Sequence, residues 1–233
     1  MNINSIKCLI IVVFICSSNV NAQDWANLKR YKVQNDSVLR LPASENRVVF
    51  MGNSITDGWR KTHPEFFTEN PYVCRGIGGQ TTPQMLIRFR QDVINLKPKA
   101  VVILAGTNDI AGNTGPTTLE AIMNNIASMA ELAATNGIHP ILCSVLPAYD
   151  YPWRKGLEPN NKIPQLNAMI EAYAKKKGFV YVDYFNVMAD EKNAMIPEYT
   201  TDGVHCTSVG YDVMERMIVP TINKVLKKKV KKR

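Results

Sequence analysis

Short apolar runs alternate with longer segments of helical period along most of this chain, and that alternation constrains the fold more than any other feature. Residues 47–51 form an apolar run closed by Gly52; similar runs span 101–105, 141–146 and 179–185, with a shorter one at 72–74. Runs this short, bounded by turn residues, suit strands buried on both faces, so five strands are expected. Between them, Met85, Phe89, Val93 and Leu96 make one helical stripe, which Thr82 can cap with Pro83 at the first position and Pro98 stops. Thr117 and Glu120, in capping-box spacing, open a second helix through Ile122, Ile126, Met129 and Ala133 that ends near Gly137. Ile163, Leu166, Ile170 and Tyr173 mark a third, ending at Gly178, and a last one covers about 209–228, bent or restarted at Pro220. A short amphipathic segment, 25–33, precedes the first strand. These apolar and Met-rich stripes read as core. Strands alternating with helices predict an α/β fold, a three-layer α/β/α sandwich around a mainly parallel five-stranded sheet. In such sheets the functional crevice lies beyond the carboxyl ends of the strands.

The ends of the chain are separate from this pattern. Lys7 precedes an apolar run from Cys8 to Cys16, and Val20-Asn21-Ala22 fits a signal-peptidase site, so residues 1–22 read as a secretory signal. The run is too short to cross a bilayer, which takes about 20 apolar residues, and Phe14-Ile15 argues against lipoprotein processing at Cys16. An exported domain over 23–223 is expected, periplasmic or secreted, without stable membrane insertion. The formal charge of +8 resides in Lys7 and the lysine-rich stretch 224–233, leaving a formally neutral body. That distribution speaks against a nucleic-acid partner; the tail reads as a solvated segment that complements a helix C-terminus, or as a weak attraction to an anionic membrane surface. Three cysteines follow the signal, Cys74, Cys143 and Cys206. An odd number cannot all pair, so no disulfide framework organises the fold, though one bridge is open.

The residues just after the strands carry chemistry. In Gly52-Asn53-Ser54-Ile55-Thr56-Asp57, Ser54 stands at a strand-to-helix junction, where it is either a nucleophile with helix N–H groups nearby or a plain helix cap. In Arg75-Gly76-Ile77-Gly78-Gly79-Gln80-Thr81-Thr82, Thr81 occupies the last glycine position of a dinucleotide fingerprint, which speaks against NAD. The turn serves packing, or it exposes the Gly79 N–H to a substrate oxygen. In Gly106-Thr107-Asn108-Asp109, the Asn108 amide is a fixed, non-titrating donor or an Asx turn. In Asp202-Gly203-Val204-His205, the carboxylate can accept from one ring nitrogen and leave the other as base, or the turn is structural. His63, before Pro64, reads as part of a surface loop, and His139 begins a strand; neither is assigned a catalytic role. The three histidines lack zinc-ligand spacing, and no metal or cofactor is expected. Cys206 reads as a buried packing thiol. An ordinary α/β-hydrolase elbow needs glycine two residues after the serine, where Thr56 stands.

Taken together, the four blocks Gly52-Asn53-Ser54, Gly78-Gly79, Gly106-Thr107-Asn108-Asp109 and Asp202 with His205 resemble the SGNH hydrolases, also called GDSL esterases and lipases, over nearly the whole mature chain. The resemblance implies a flavodoxin-like sandwich and a serine esterase. It implies Ser54 as nucleophile, His205 as base and then acid, Asp202 as its orienting partner, and the Ser54 N–H, Gly79 N–H and Asn108 amide as the oxyanion hole. Asn53 departs from the family's aspartate, which bears on local hydrogen bonding more than on activity. Gly-Ile-Gly-Gly-x-Thr-Thr and Gly-Thr-Asn look like the branch related to platelet-activating-factor acetylhydrolases. Tyr149, Tyr151, Pro152, Trp153 and Arg154 follow the fourth strand, where they could form a sugar-contacting rim or a structural loop. With export and no long apolar lid, the expected substrate is a small-molecule or glycan ester with a short acyl group, such as acetyl. The alternatives are a lysophospholipase or thioesterase of the same superfamily and, from another class, a non-catalytic carbohydrate-binding protein.

Overall fold

The structure, a computed structural model, describes residues 24–41 and 46–227; the signal expected at 1–22 and the end of the lysine-rich tail lie outside the described residues. The elements run α1 (Lys32–Arg40), β1 (Val48–Gly52), α2 (Ser54–Thr62), α3 (Pro64–Thr68), β2 (Tyr72–Gly76), α4 (Thr82–Asp92), β3 (Ala100–Leu104), α5 (Thr107–Ile110), α6 (Leu119–Thr135), β4 (His139–Cys143), α7 (Pro159–Lys177), β5 (Val180–Val182), α8 (Phe185–Met188) and α9 (Ser208–Leu226). The described strands form one sheet in the order β2-β1-β3-β4-β5, and every pairing is parallel. This matches the expected five-stranded α/β sandwich.

Alternation along the strands sorts the core into two layers. Val49 and Met51 of β1, with Val101 and Ile103 of β3, face the cluster built by α4, α6 and α7; Val48, Phe50, Ala100 and Val102 face α2, α3 and α9. Side chains that alternate by two along a pleated strand must divide this way, so continuous apolar runs need helices on both faces. Strand order reverses at β1, which has β2 on one side and β3 on the other. The crevice at the ends of β1 and β3 is therefore the topological switch point where such sheets bind ligands.

Several boundaries differ from the sequence expectation for local reasons. The expected 141–146 run forms sheet only to Cys143, because the Asn167 side chain takes both Val145 N–H (2.7 Å) and Val145 C=O (3.0 Å). The run at 179–185 keeps only Val180–Val182 as strand; the Phe185 N–H turns to Ser144 Oγ at 2.9 Å and opens α8. In β2 the strand continues past Cys74 to Gly76, since Arg75 is buried under α1 with its Nε on Asn35 Oδ1 (2.8 Å) and its guanidinium over the Tyr31 ring. Thr81 rather than Thr82 precedes α4, because the Thr82 hydroxyl is committed to Asp109, while Thr81 N–H donates to Gln84 Oε1. Thr118 rather than Thr117 caps α6, accepting from the Ala121 N–H. The segment 25–33 is mostly turn, and its helix begins at Lys32. Helix α9 runs unbroken through Pro220, and Lys224 lies within it.

The three cysteines are buried and free, so no disulfide forms among them. Burial pushes the Cys143 and Cys206 thiols up to about 12, which leaves them without nucleophilic thiolate at neutral pH. No described helix is long and apolar enough to cross a membrane.

Candidate active site

Asn53 and Ser54 sit where β1 becomes α2. The Asn53 side chain accepts from the Ile55 N–H at 3.0 Å and caps the helix, so the asparagine at this position performs the local hydrogen bonding that an aspartate could. Ser54 is the first residue of the helix, where its own N–H has no partner within the helix. The β2 turn packs against it closely: a Cβ on Gly76 would meet the Asp57 backbone nitrogen at 2.3 Å, and a Cβ on Gly78 would stand 3.9 Å from Ser54 Cβ. Any side chain at Gly76 would push the turn away from α2. Gly79 follows with φ +75°, a conformation that orients its peptide and favours glycine.

Asn108 is buried in α5, and its Nδ2 donates to Gln80 O at 3.0 Å. One amide hydrogen thus holds the asparagine against the glycine turn and the other is left to point elsewhere. Asp109, next to it, accepts from Thr82 N–H at 2.9 and 3.0 Å and from Thr82 Oγ1 at 2.6 Å. These bonds join the β3 loop to the start of α4. Burial raises the Asp109 carboxyl to about 6 despite them.

Asp202 and His205 fold as one turn. Asp202 Oδ1 accepts from the backbone N–H groups of Val204 (2.9 Å) and His205 (2.8 Å), and Oδ2 lies 2.7 Å from His205 Nδ1. The same carboxylate therefore shapes the turn and orients the imidazole. Burial raises its carboxyl, but the His205 and Val204 hydrogen bonds outweigh that and hold it below the usual range. His205 Nε2 lies 2.9 Å from Ser54 Oγ, across 151 residues of chain. With Nδ1–H directed at Asp202, Nε2 carries the lone pair and accepts from the serine hydroxyl. The arrangement can remove a proton from Ser54 as it attacks a carbonyl carbon.

The expected rim is divided. Tyr151 is fully buried, with its hydroxyl 2.9 Å from Thr107 Oγ1, and Arg154 Nη1 donates to the carbonyls of Ala111 and Gly112. These two residues fasten the loop to α5 and its exit. Trp153 stacks on Tyr151 and lies with its ring centroid 6.0 Å from that of His205, about half exposed; Tyr149 is exposed as well. A cavity of 240 Å³ opens here, lined in part by Tyr149, Asp150, Lys155, Met195 and Asp202. A larger cavity of 660 Å³, lined by residues such as Lys97, Pro98 and Asn136, contains none of the residues above.

Two features escaped sequence reading. His63 is not in a surface loop: it is buried between α2 and α3 with both ring nitrogens engaged by residues of α9. Pro64 suggested a loop, but it starts α3 directly after the histidine. Arg88, fully buried, bonds Gln80 Oε1, Asp92 Oδ2 and Gly52 O, so it ties the end of β1 to the glycine turn. A signal for it existed: Arg88 and Asp92 are an i,i+4 pair flanking the apolar stripe of Met85 and Phe89.

Comparison with known proteins gives the family and the fold. The profile of the GDSL-like lipase/acylhydrolase family matches residues 50–213. The structure of a GDSL-like lipase from Bacteroides thetaiotaomicron is 53% identical, covers 85% of this chain and 98% of its own, and superposes with a TM-score of 0.83. An inferred acylhydrolase from Bacteroides fragilis is 52% identical over 88% of this chain and 100% of its own, with a TM-score of 0.86. The Bacillus subtilis lipoprotein YqeF is 39% identical over 75 residues, a stretch that spans 31% of either protein.

Proposed function

This chain belongs to the GDSL-like lipase/acylhydrolase family and is an ester hydrolase, and from that premise we propose that Ser54, His205 and Asp202 are its catalytic triad and short acyl esters its substrates. The observation that carries the reading is the continuous path from Ser54 Oγ to His205 (2.9 Å) and on to Asp202 (2.7 Å).

His205 Nε2 takes the Ser54 proton as Oγ bonds to the ester carbonyl carbon, and Asp202 stabilises the imidazolium that results. The carbonyl oxygen becomes an oxyanion and is met by the Ser54 N–H, the Gly79 N–H and the second Asn108 amide hydrogen. The imidazolium then protonates the departing alcohol as the carbon–oxygen bond breaks. Water, losing a proton to the same nitrogen, attacks the acyl-serine; as the bond to Oγ breaks, the imidazolium returns that proton to Ser54 and the acid is released.

The small cavity beside Asp202 sets the exposed Tyr149 next to Asp150 and Lys155, groups that can stack on a sugar ring and hydrogen-bond its hydroxyls. Together with the export expected from residues 1–22, this favours deacetylation of extracytoplasmic glycans. Acetate release from acetylated xylan, pectin and sialosides, set against hydrolysis of p-nitrophenyl acetate, octanoate and palmitate, tests the substrate. Preference for the long chains would reject an acetyl ester and favour a lysophospholipase. Ser54→Ala is expected to abolish both turnover and labelling by a fluorophosphonate; unchanged turnover would remove the mechanism.

A further inference from the structure

A second group of titratable side chains lies apart from the reacting groups, in the seam between α2 and α9. His63, at the end of α2, is 7% exposed, and its Nδ1 lies 2.8 Å from Glu215 Oε1 and 3.9 Å from Asp212 Oδ1. Asp212 and Glu215 are three residues apart on α9, so both reach the same side of that helix. One ligand atom from each of the three falls within 4.8 Å of the others.

We propose that His63, Asp212 and Glu215 bind a divalent transition-metal cation of the zinc, cobalt or manganese class. Metal bonds of about 2.0–2.2 Å to nitrogen and carboxylate oxygen place neighbouring ligand atoms about 3.0–3.6 Å apart. The His63–Glu215 and His63–Asp212 separations, 2.8 and 3.9 Å, fall on either side of that interval, within reach of side-chain rotation about a cation. One imidazole with two carboxylates cancels a double positive charge, and the nitrogen ligand selects a transition metal over calcium or magnesium. Asp212 is half exposed and Glu215 partly so, which leaves an open side for water ligands and an entry path.

The surroundings hold the ligands in place. His63 Nε2 lies 2.7 Å from Ser208 Oγ, and Trp59 Nε1 donates to Glu215 Oε1 at 2.8 Å. A serine hydroxyl both donates and accepts. Without a cation, Nδ1–H faces Glu215 and Nε2 accepts from Ser208; with a cation on Nδ1, the proton resides on Nε2 and Ser208 turns to accept it. The ring can therefore offer its lone pair to the metal without losing a partner, the usual outer-shell arrangement of a ligating histidine. A cation here would join the end of the helix that Ser54 begins to the first turns of the helix that follows His205.

Titration calorimetry and thermal unfolding of the chelator-treated full chain with zinc, cobalt and manganese chlorides test the site. The expected result is one cation per chain, a raised Tm, and weaker effects from calcium and magnesium. Asp212→Asn and Glu215→Gln, both on the accessible side of α9, should each weaken binding about tenfold or more, while Asp202→Asn leaves it unchanged. Absence of binding at millimolar cation, wild-type affinity in both α9 variants, or loss of binding in Asp202→Asn would each overturn the proposal.

Discussion

Replacing Arg88 with methionine removes a guanidinium that makes three bonds in a place water does not reach. Nη1 is 3.0 Å from Asp92 Oδ2, Nη2 is 3.0 Å from Gly52 O and Nε is 2.5 Å from Gln80 Oε1, with the two charged side chains 0% and 1% exposed. Removing one member of a buried ion pair costs about 3–5 kcal/mol, because the other charge stays buried. Asn35 Nδ2 still donates to Asp92 at 2.7 Å, which places the expected loss near the lower end, about 3 kcal/mol. Arg88→Met/Asp92→Asn removes the stranded charge and should regain about 1–2 kcal/mol of that. Activity should behave differently. Gly52 lies two residues before Ser54, and Gln80 follows Gly79 while its carbonyl holds Asn108. Both variants leave Gln80 Oε1 without its donor and Gly52 O with the Ile77 N–H (3.2 Å) alone, and a displacement of about 1 Å in such a constellation can cost 10²-fold. Urea unfolding followed by circular dichroism reads the first quantity, and p-nitrophenyl acetate turnover of the folded protein reads the second. Recovered stability with kcat still reduced at least about tenfold is expected. A double variant with wild-type kcat would refute the positioning role and leave Arg88 as packing alone.

Asp202→Asn should lower kcat by about 10⁴, since the amide no longer stabilises the imidazolium, with circular dichroism confirming the fold. Asn108→Ala should lower kcat by about 10²–10³ with little change in KM, as for loss of one oxyanion donor; a pure KM effect would argue against that role. Asp109, raised by burial to about 6, is above its unfolded value of 3.8, so its contribution to stability is fully present below the unfolded pKa and is lost as pH rises through about 6. Relative to Asp109→Asn, the wild type should therefore gain up to about 3 kcal/mol between about pH 7 and 4, measured as the difference in urea midpoints; a relative loss on acidification would contradict the burial argument. Trp153→Ala should raise KM for an acetylated glycan about fivefold, for about 1 kcal/mol of stacking, and leave p-nitrophenyl acetate nearly unaffected.

Much of the architecture is legible from periodicity because it is a local property. Val48 to Met51 and Val101 to Leu104 are apolar at every position, and a strand with no polar face has to be covered on both sides. Gly178 adopts the left-handed conformation that ends α7, as its identity suggests. The cap positions were harder, since Thr81, Thr82, Thr117 and Thr118 are interchangeable as local caps. Asp109 claims one of them and the register of α6 selects another. The burial of His63 was hidden because its partners, Ser208 and Glu215, come from the far end of the chain.

Residue order and chemistry alone were enough to establish the alternation of strands and helices, the four strand-end blocks, and the group types available for ester hydrolysis. They could not establish that Ser54 and His205 meet, that Tyr151 is an anchor while Trp153 stays open, or that a guanidinium sits in the core. Those outcomes depend on closing a sheet whose order reverses at β1, which brings loops separated by up to 151 residues within hydrogen-bond distance. Short-range preferences act through the backbone of a few neighbouring residues, whereas contacts of this kind exist only after the layers have packed and water has left the crevice between them.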